Sequence, residues 1–275
     1  SNLDFISYGL MMQELERGDS SIRVMCSIQT SLVMKNIYEH GSDFLKQEFL
    51  LKLSKGELIG SFGLSEPGHG SDPASMQTKH TIDGDYYIIN GSKMWIGNAP
   101  FCDMALVWSK GADDRYACFV VQRNDSGFTT AKIDKKWSFR ASETGELIFD
   151  NCKVHKKFML FESDNIQSAL KSLNIARYAV ACGSIGIAME CYDVALKYSN
   201  ERIQFGKKIS SNQLIQKKLV DMITEITKAQ LLNWKLGMMM NDGDATFEQI
   251  SMAKRNNVSV AYNVARNARQ ILGGI

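Results

Sequence analysis

The sequence predicts an α+β chain: a helical segment, a middle domain folded as an antiparallel β-sheet or barrel, and a closing antiparallel helical bundle. Three observations predict it. Apolar residues recur at helical spacing from Asp4 to about Lys55, short apolar runs punctuated by turn residues follow to about Val154, and helical spacing returns after Ser163. The expected domains are therefore 1–56, the end of an N-terminal helical domain, then 57–160, the β domain, then 161–275, a helical bundle cut short.

In the first segment Phe5, Tyr8, Met12 and Leu15 share one helical face, and Ile28, Leu32 and Tyr38 continue near the same period. Ser42 and Asp43 are capping residues ahead of Phe44, Leu45, Phe49 and Leu53, and Gly56 is a stop. The β region begins with the apolar run 58–64, which Ser65-Glu66-Pro67-Gly68-His69-Gly70-Ser71-Asp72-Pro73 ends. The turn pairs Asp83-Gly84 and Asn90-Gly91 bracket 85–89 and predict a hairpin. Further strands are expected over 104–108, 116–121, 128–133 and 146–149. None alternates with a long helix, which excludes a Rossmann arrangement. In the last region Leu173, Val180, Ile187 and Val194 recur at sevens, with Ser184, Cys191 and Tyr198 between them. Ile215, Leu219, Met222, Ile226 and Ala229 form a second seam, and Val258, Ala261, Ala265, Ala268 and Leu272 a third.

Of the 275 residues, 32 are Lys or Arg and 30 Asp or Glu, a net charge of +2. That balance gives no broad field for nucleic acid or an anionic membrane, and no unbroken apolar run reaches the roughly 18 residues a bilayer-spanning helix needs. Six cysteines contain no C-x-x-C pair and histidines number only four, so no metal site is expected. Reduced thiols fit a cytosol-like compartment: cytoplasm in a bacterium, mitochondrial matrix in a eukaryote.

Local motifs are mostly negative. Gly63-x-x-x-x-Gly68 lacks the Lys-Ser/Thr of a phosphate loop, and Pro73 breaks any dinucleotide fingerprint. Gly63-Leu64-Ser65-Glu66-Pro67 lacks the last Gly of a nucleophile elbow. What remains is a Gly-rich loop carrying Ser65 and Ser71 at a strand end, which suits a flat, polar-edged ligand or a phosphate as well as an ordinary surface loop. Trp95 in Trp95-Ile96-Gly97 is either core or the wall of a planar ring. Arg202, in Arg202-Ile203-Gln204-Phe205-Gly206, is placed either to grip a phosphate or to complement a helix dipole. The glycines of Gln270-Ile271-Leu272-Gly273-Gly274 are at least a helix stop. Lys153, His155, Lys156 and Lys157 form a solvated face.

Together these fragments, in this order, resemble the acyl-CoA dehydrogenase family of flavoproteins over nearly the whole chain. The resemblance implies FAD as cofactor, with Phe62, Leu64, Ser65, Gly70 and Ser71 of the loop and Trp95, Ile96 and Gly97 of the strand at the isoalloxazine. Ser71 would also meet the acyl-CoA. Arg202, Gln213, Gln270, Gly273 and Gly274 would reach the FAD of a neighbouring subunit in a homotetramer. Within the family the strings Glu14-Leu15-Glu16-Arg17, Ser31-Leu32-Val33-Met34, Phe139-Arg140-Ala141-Ser142 and 212–218 are similar to the glutaryl-CoA dehydrogenases. That likeness places Arg23 and Ser27 at the distal carboxylate of the substrate, and Asn174 and Arg177 at the CoA portion. It implies α-proton abstraction, hydride transfer to the flavin and loss of carbon dioxide to give crotonyl-CoA, with electrons passing to an electron-transferring flavoprotein. The alternatives are another short-chain acyl-CoA, with Arg23 paired to Glu14 or Asp19, and a non-catalytic flavin- or CoA-binding scaffold. Gly97 stands where the family places Thr or Ser, and Val24 where the subfamily has Ser. No catalytic residue is assigned within the chain: the resemblance expects the catalytic Glu beyond Ile275.

Overall fold

The computed structural model describes residues 3–163 and 165–274. Its contacts divide the chain into two units, one made of 1–23 with 177–275 and the other of 24–176, the cuts falling inside two helices.

In the second unit the helical segment runs from the end of α2 (Ser20–Ser27) through a π-helical stretch, Ile28–Met34, to α3 (Lys35–His40) and α4 (Asp43–Ser54). Ser42 caps α4 by accepting from the Leu45 amide at 3.3 Å. The strands are β1 (Gly60–Gly63), β2 (Lys79–Asp83), β3 (Tyr86–Gly97), β4 (Met104–Lys110), β5 (Tyr116–Gln122), β6 (Phe128–Lys132), β7 (Thr144–His155) and β8 (Met159–Ser163). They form one sheet in the order β6-β7-β3-β2-β4-β5-β8, with β1 added beside β4. The expected antiparallel sheet is in fact mixed, because β1 runs parallel to β4 and β2 touches β4 in parallel at Lys79 and Lys110. A helical entry to β1 and an irregular loop after it let the chain return in the same direction, which a hairpin cannot do.

Strands β4 and β5 explain why the sequence reads there as unbroken apolar runs. Leu106, Trp108, Cys118 and Val120 pack on Val33, Ile37, Leu45, Phe49 and Leu53 of the helical layer. Ala105, Val107, Ala117, Phe119 and Val121 face Ile89, Ile96, Leu147 and Phe149. Side chains alternate between two cores, so neither face is polar.

The Asp83-Gly84 turn joins β2 to β3, but Asn90-Gly91 is no turn. Strand β3 runs through it to Gly97, and the register with β7 slips between Ile89 and Gly91 and again between Lys93 and Ile96. These are β-bulges, which bend the strand and re-aim its side chains.

The first unit contains α1 (Phe5–Gly18), the later part of α5 (Gln167–Glu201), α6 (Gln213–Asp242), α7 (Phe247–Leu272) and a small hairpin, β9 (Ile203–Gln204) with β10 (Lys207–Lys208). Asp4 caps α1 and a Thr246/Gln249 capping box starts α7. The seam on α6 is the expected one: Leu219, Met222, Ile226 and Ala229 are buried. On α5 and α7 the expected stripe is buried only in part: Ser184, Ala261 and Ala268 are buried, Val194 and Val258 are exposed, and Ile185, Ala188 and Ala195 on α5 and Val260, Val264 and Ile271 on α7 are buried beside them. The cause on α5 is its small residues: Gly183 and Gly186 admit Glu16 and the Gln13 backbone of α1, so the close-packed face is theirs. Over Ala169–Glu201 this helix is also long and apolar enough to cross a membrane, although no unbroken apolar run marks it in the sequence; half of an apolar 18-residue window within it is buried in the fold. A core helix meets the same criterion.

Candidate functional site

The loop that opens at the end of β1 is built from below. Gln29, buried in the π-helical stretch, donates to the carbonyls of Leu53 (3.0 Å) and Leu58 (2.7 Å) and accepts from the Gly60 amide (2.8 Å). One side chain thus fixes where β1 begins. At the far end of β3, Ser61 Oγ donates to the Gly97 carbonyl at 3.1 Å and Asn98 Nδ2 to the Gly60 carbonyl at 3.1 Å. The decisive bond is between the Met94 amide and the Ser65 carbonyl, 2.9 Å, which holds the loop against the second bulge of β3. The loop and the Trp95-Ile96-Gly97 segment, 30 residues apart in sequence, are one structural site.

Within it the residues divide. Phe62, Leu64 and Ile96 are buried and give their side chains to the two cores, so only their backbone is on offer. Ser65 and Gly97 are half-buried, and Gly70 and Ser71 are exposed. Trp95 is 65% exposed and has φ 65°, left-handed backbone that a bulky residue rarely adopts. The core indole of the β domain is Trp108 instead. A solvent-facing indole held in a costly conformation beside a Gly- and Ser-rich loop fits a planar, polar-edged ring such as a flavin. A Cβ at Gly97 would strike Ile28 Cδ1, so the place of the family's hydroxyl is bordered by an aliphatic side chain here.

Sequence reasoning missed the polar centre beneath this site. Lys93, fully buried, donates to Glu66 Oε1 (2.8 Å) and to the Leu64 carbonyl (3.1 Å). Glu66 is 4% exposed and accepts from the amides of Gln77 (2.6 Å) and Thr78 (2.9 Å). Burial pushes the Lys93 ammonium down to about 8 although Glu66 pulls it upward. Burial alone would raise the Glu66 carboxyl, but the Lys93 charge and these bonds outweigh it and hold the group below its ordinary value. A carboxylate so occupied is a poor general base. Asp72, farther along the loop, accepts from Ser75 Oγ at 2.5 Å and closes a local turn.

The remaining predicted residues lie mostly in the other unit. Arg23 is buried and ion-paired with buried Glu16, not with Glu14 or Asp19. Arg17 takes Glu14, Glu190 and Asp193. In the β unit, Ser27 is buried at the end of α2 and donates to the Val24 carbonyl at 2.9 Å, while Asn174 is half-buried on α5. Arg177 is half-buried farther along α5. Arg202 is exposed where α5 ends, its amide bonded to the Tyr198 carbonyl and its carbonyl to the Ile209 amide. Gln213 is exposed at the start of α6, and Gln270, near the end of α7, accepts from Lys218. Gly273 ends α7 at φ 76°, with Gly274 exposed beside it. Among the described residues no group of three or more His, Cys, Asp or Glu is arranged to hold a metal ion.

Three acyl-CoA dehydrogenase family models match the chain: the N-terminal domain over 1–57, the middle domain over 61–152 and the C-terminal domain over 166–275. The human mitochondrial short-chain specific acyl-CoA dehydrogenase is 33% identical over all of this chain and 68% of its own length. Glutaryl-CoA dehydrogenase from Mycobacterium smegmatis is 42% identical with a TM-score of 0.96, over 99% of this chain and 70% of that one, and a structure of a glutaryl-CoA dehydrogenase from the same organism in complex with FADH2 is 41% identical with the same TM-score. Butyryl-CoA dehydrogenase from Megasphaera elsdenii is 33% identical with a TM-score of 0.94, over 100% and 73%. With the loop, the bulge and the exposed indole in place, the chain belongs to the acyl-CoA dehydrogenase family, a flavoprotein oxidoreductase whose cofactor is FAD.

Proposed function

We propose that the protein oxidises glutaryl-CoA, with decarboxylation to crotonyl-CoA. Buried Arg23 carries this reading: a cation in the helical unit is otherwise an expensive residue, and a substrate ending in a carboxylate gives it a use beyond its pair with Glu16. The 42% identity to the Mycobacterium smegmatis glutaryl-CoA dehydrogenase supports the same choice, while a second glutaryl-CoA dehydrogenase, at 33%, stands level with the butyryl enzyme. Ser27 joins Arg23 in this role, and Asn174, Arg177 and Ser71 take the CoA thioester portion.

When bound, FAD supplies the acceptor for the hydride from the substrate β-carbon. The chain's part is to hold it: the loop 62–71 offers backbone and hydroxyls to its polar edge, and Trp95 walls the ring. Arg202, Gln213 and the 270–274 turn serve the FAD of a neighbouring subunit in a homotetramer, and an electron-transferring flavoprotein takes the electrons onward.

The second reading is a dehydrogenase of an unsubstituted short acyl-CoA. The Arg23–Glu16 pair favours it, since an acid already neutralises the cation. Titrating the FAD-loaded protein with glutaryl-CoA and with butyryl-CoA, following the flavin band, separates the two. Arg23→Met should weaken glutaryl-CoA binding about 30-fold or more, as loss of a charge-assisted pair implies, and butyryl-CoA binding far less. Equal losses select the second reading.

A further inference from the structure

We propose that the buried Lys93–Glu66 pair is a positioning device that holds the flavin loop in its binding shape; this rests on the flavin reading of the loop. Between Leu64 and Thr78 the chain is almost without regular structure, its one short element being a turn at Pro73–Ser75. Its internal backbone bonds, such as those between Glu66 and His69, close only local turns. Each end is bonded to the sheet, Ser65 to the Met94 amide at the entry and Thr78 to Ser92 and Lys110 at the exit, and a buried ion pair bridges the two ends directly. Lys93 Nζ holds the Leu64 carbonyl and Glu66 Oε1 at the entry, and the Glu66 carboxylate holds the Gln77 and Thr78 amides at the exit. Lys93 itself sits on β3 one residue before Met94, whose amide bonds Ser65, and two before the exposed indole of Trp95. Entry and exit therefore meet at one ion pair, on the strand that carries the indole.

The surroundings are shaped for it. A Cβ at Gly63 would lie 3.2 Å from Lys93 Cγ and 3.0 Å from Leu147 Cδ1, so the glycine leaves room for the lysine stem to pass under the loop. Met76 Sδ is 3.8 Å from Nζ, and Cys118 is the other titratable group facing the ammonium. An ammonium with no exposed surface needs its partners. Removing it leaves the Glu66 carboxylate buried without a counter-charge, and the loop must open to hydrate it.

Two variants test the proposal in the assembled protein: Lys93→Met, and Glu66→Gln as the near-isosteric change in case the first does not fold. FAD affinity is read by fluorescence quenching at a temperature well below unfolding, and amide exchange is read for the peptide containing Gln77 and Thr78. At least a tenfold rise in the FAD dissociation constant, with faster exchange at 77–78 and unchanged exchange in β4 and β5, supports the device. Variants that lose thermal stability while keeping FAD affinity within twofold and exchange at 77–78 unchanged overturn it, because the pair then only stabilises the fold. Wild-type protein without FAD affinity overturns the flavin reading instead, and the exchange measurement then decides on the clamp alone.

Discussion

Trp95 pays for its position at the level of single bonds. A bulky L-residue at φ 65° carries a conformational cost of about 1–2 kcal/mol, and its ring stands 65% exposed. Neither helps folding, so a ligand is the natural beneficiary. Trp95→Gly relieves the strain while loosening the unfolded chain, and the two effects roughly cancel. The expected outcome is a melting temperature within a few degrees of wild type and at least tenfold weaker FAD binding. A large fall in melting temperature with FAD binding intact would make the indole a structural residue. Lys93 shows the opposite case, a polar residue whose importance the sequence concealed. Two bulges in β3 break the alternation that would have marked position 93 as inward-facing, and its partner Glu66 lies 27 residues away in a loop.

Among the elements, β3 is where sequence and structure part. Asn90-Gly91 has the composition of a hairpin turn, yet Gly91 at φ 137° lies mid-strand as a bulge. The difference is tertiary: β7 runs alongside on both sides of the bulge, and Thr78 packs over it. Gly91→Ala would place a Cβ 2.7 Å from Thr78 Cα, in a backbone region closed to alanine. The Thr78 amide is one of the bonds to Glu66, so the strain passes to the loop's exit. Loss of roughly 2–4 kcal/mol in urea unfolding is expected; a loss below about 0.5 kcal/mol would show that the strand tolerates the change. The loop itself was legible, since Pro67, Pro73 and two glycines, Gly68 and Gly70, forbid a regular element and leave backbone groups for a ligand. The faces of α5 and α7 were legible only in part, Ala261 and Ala268 being buried as expected and Val194 and Val258 not. Where most turns carry apolar side chains, the seam is chosen by which small residues let a neighbour approach, and spacing alone cannot rank them.

For the molecule as a whole, the division of labour between the two units yields the last prediction. The loop and the indole belong to the β unit, while Arg202, Gln213 and Gln270 are exposed on the helical one. A net charge of +2 spread over 275 residues gives no general pull on a diphosphate, so its recognition must rest on a few local cations. Arg202 leads into the β9–β10 hairpin, which turns at Phe205 and Gly206 with positive φ, and two bonds fix its backbone at the end of α5. A guanidinium so held can meet two phosphate oxygens at once, which an ammonium cannot. If a neighbouring subunit's Arg202 grips the FAD pyrophosphate, Arg202→Ala should weaken FAD binding roughly 10- to 100-fold, the worth of about 1.5–3 kcal/mol for a charged hydrogen bond. Arg202→Lys should recover only part of it. Circular dichroism should be unchanged, because the side chain is exposed and holds no core residue. Wild-type FAD content should also fall on dilution, since a cofactor bound across subunits is lost as they separate. Full FAD content in Arg202→Ala at every dilution would mean that the β unit binds the cofactor without help, and that the exposed arginine serves another partner.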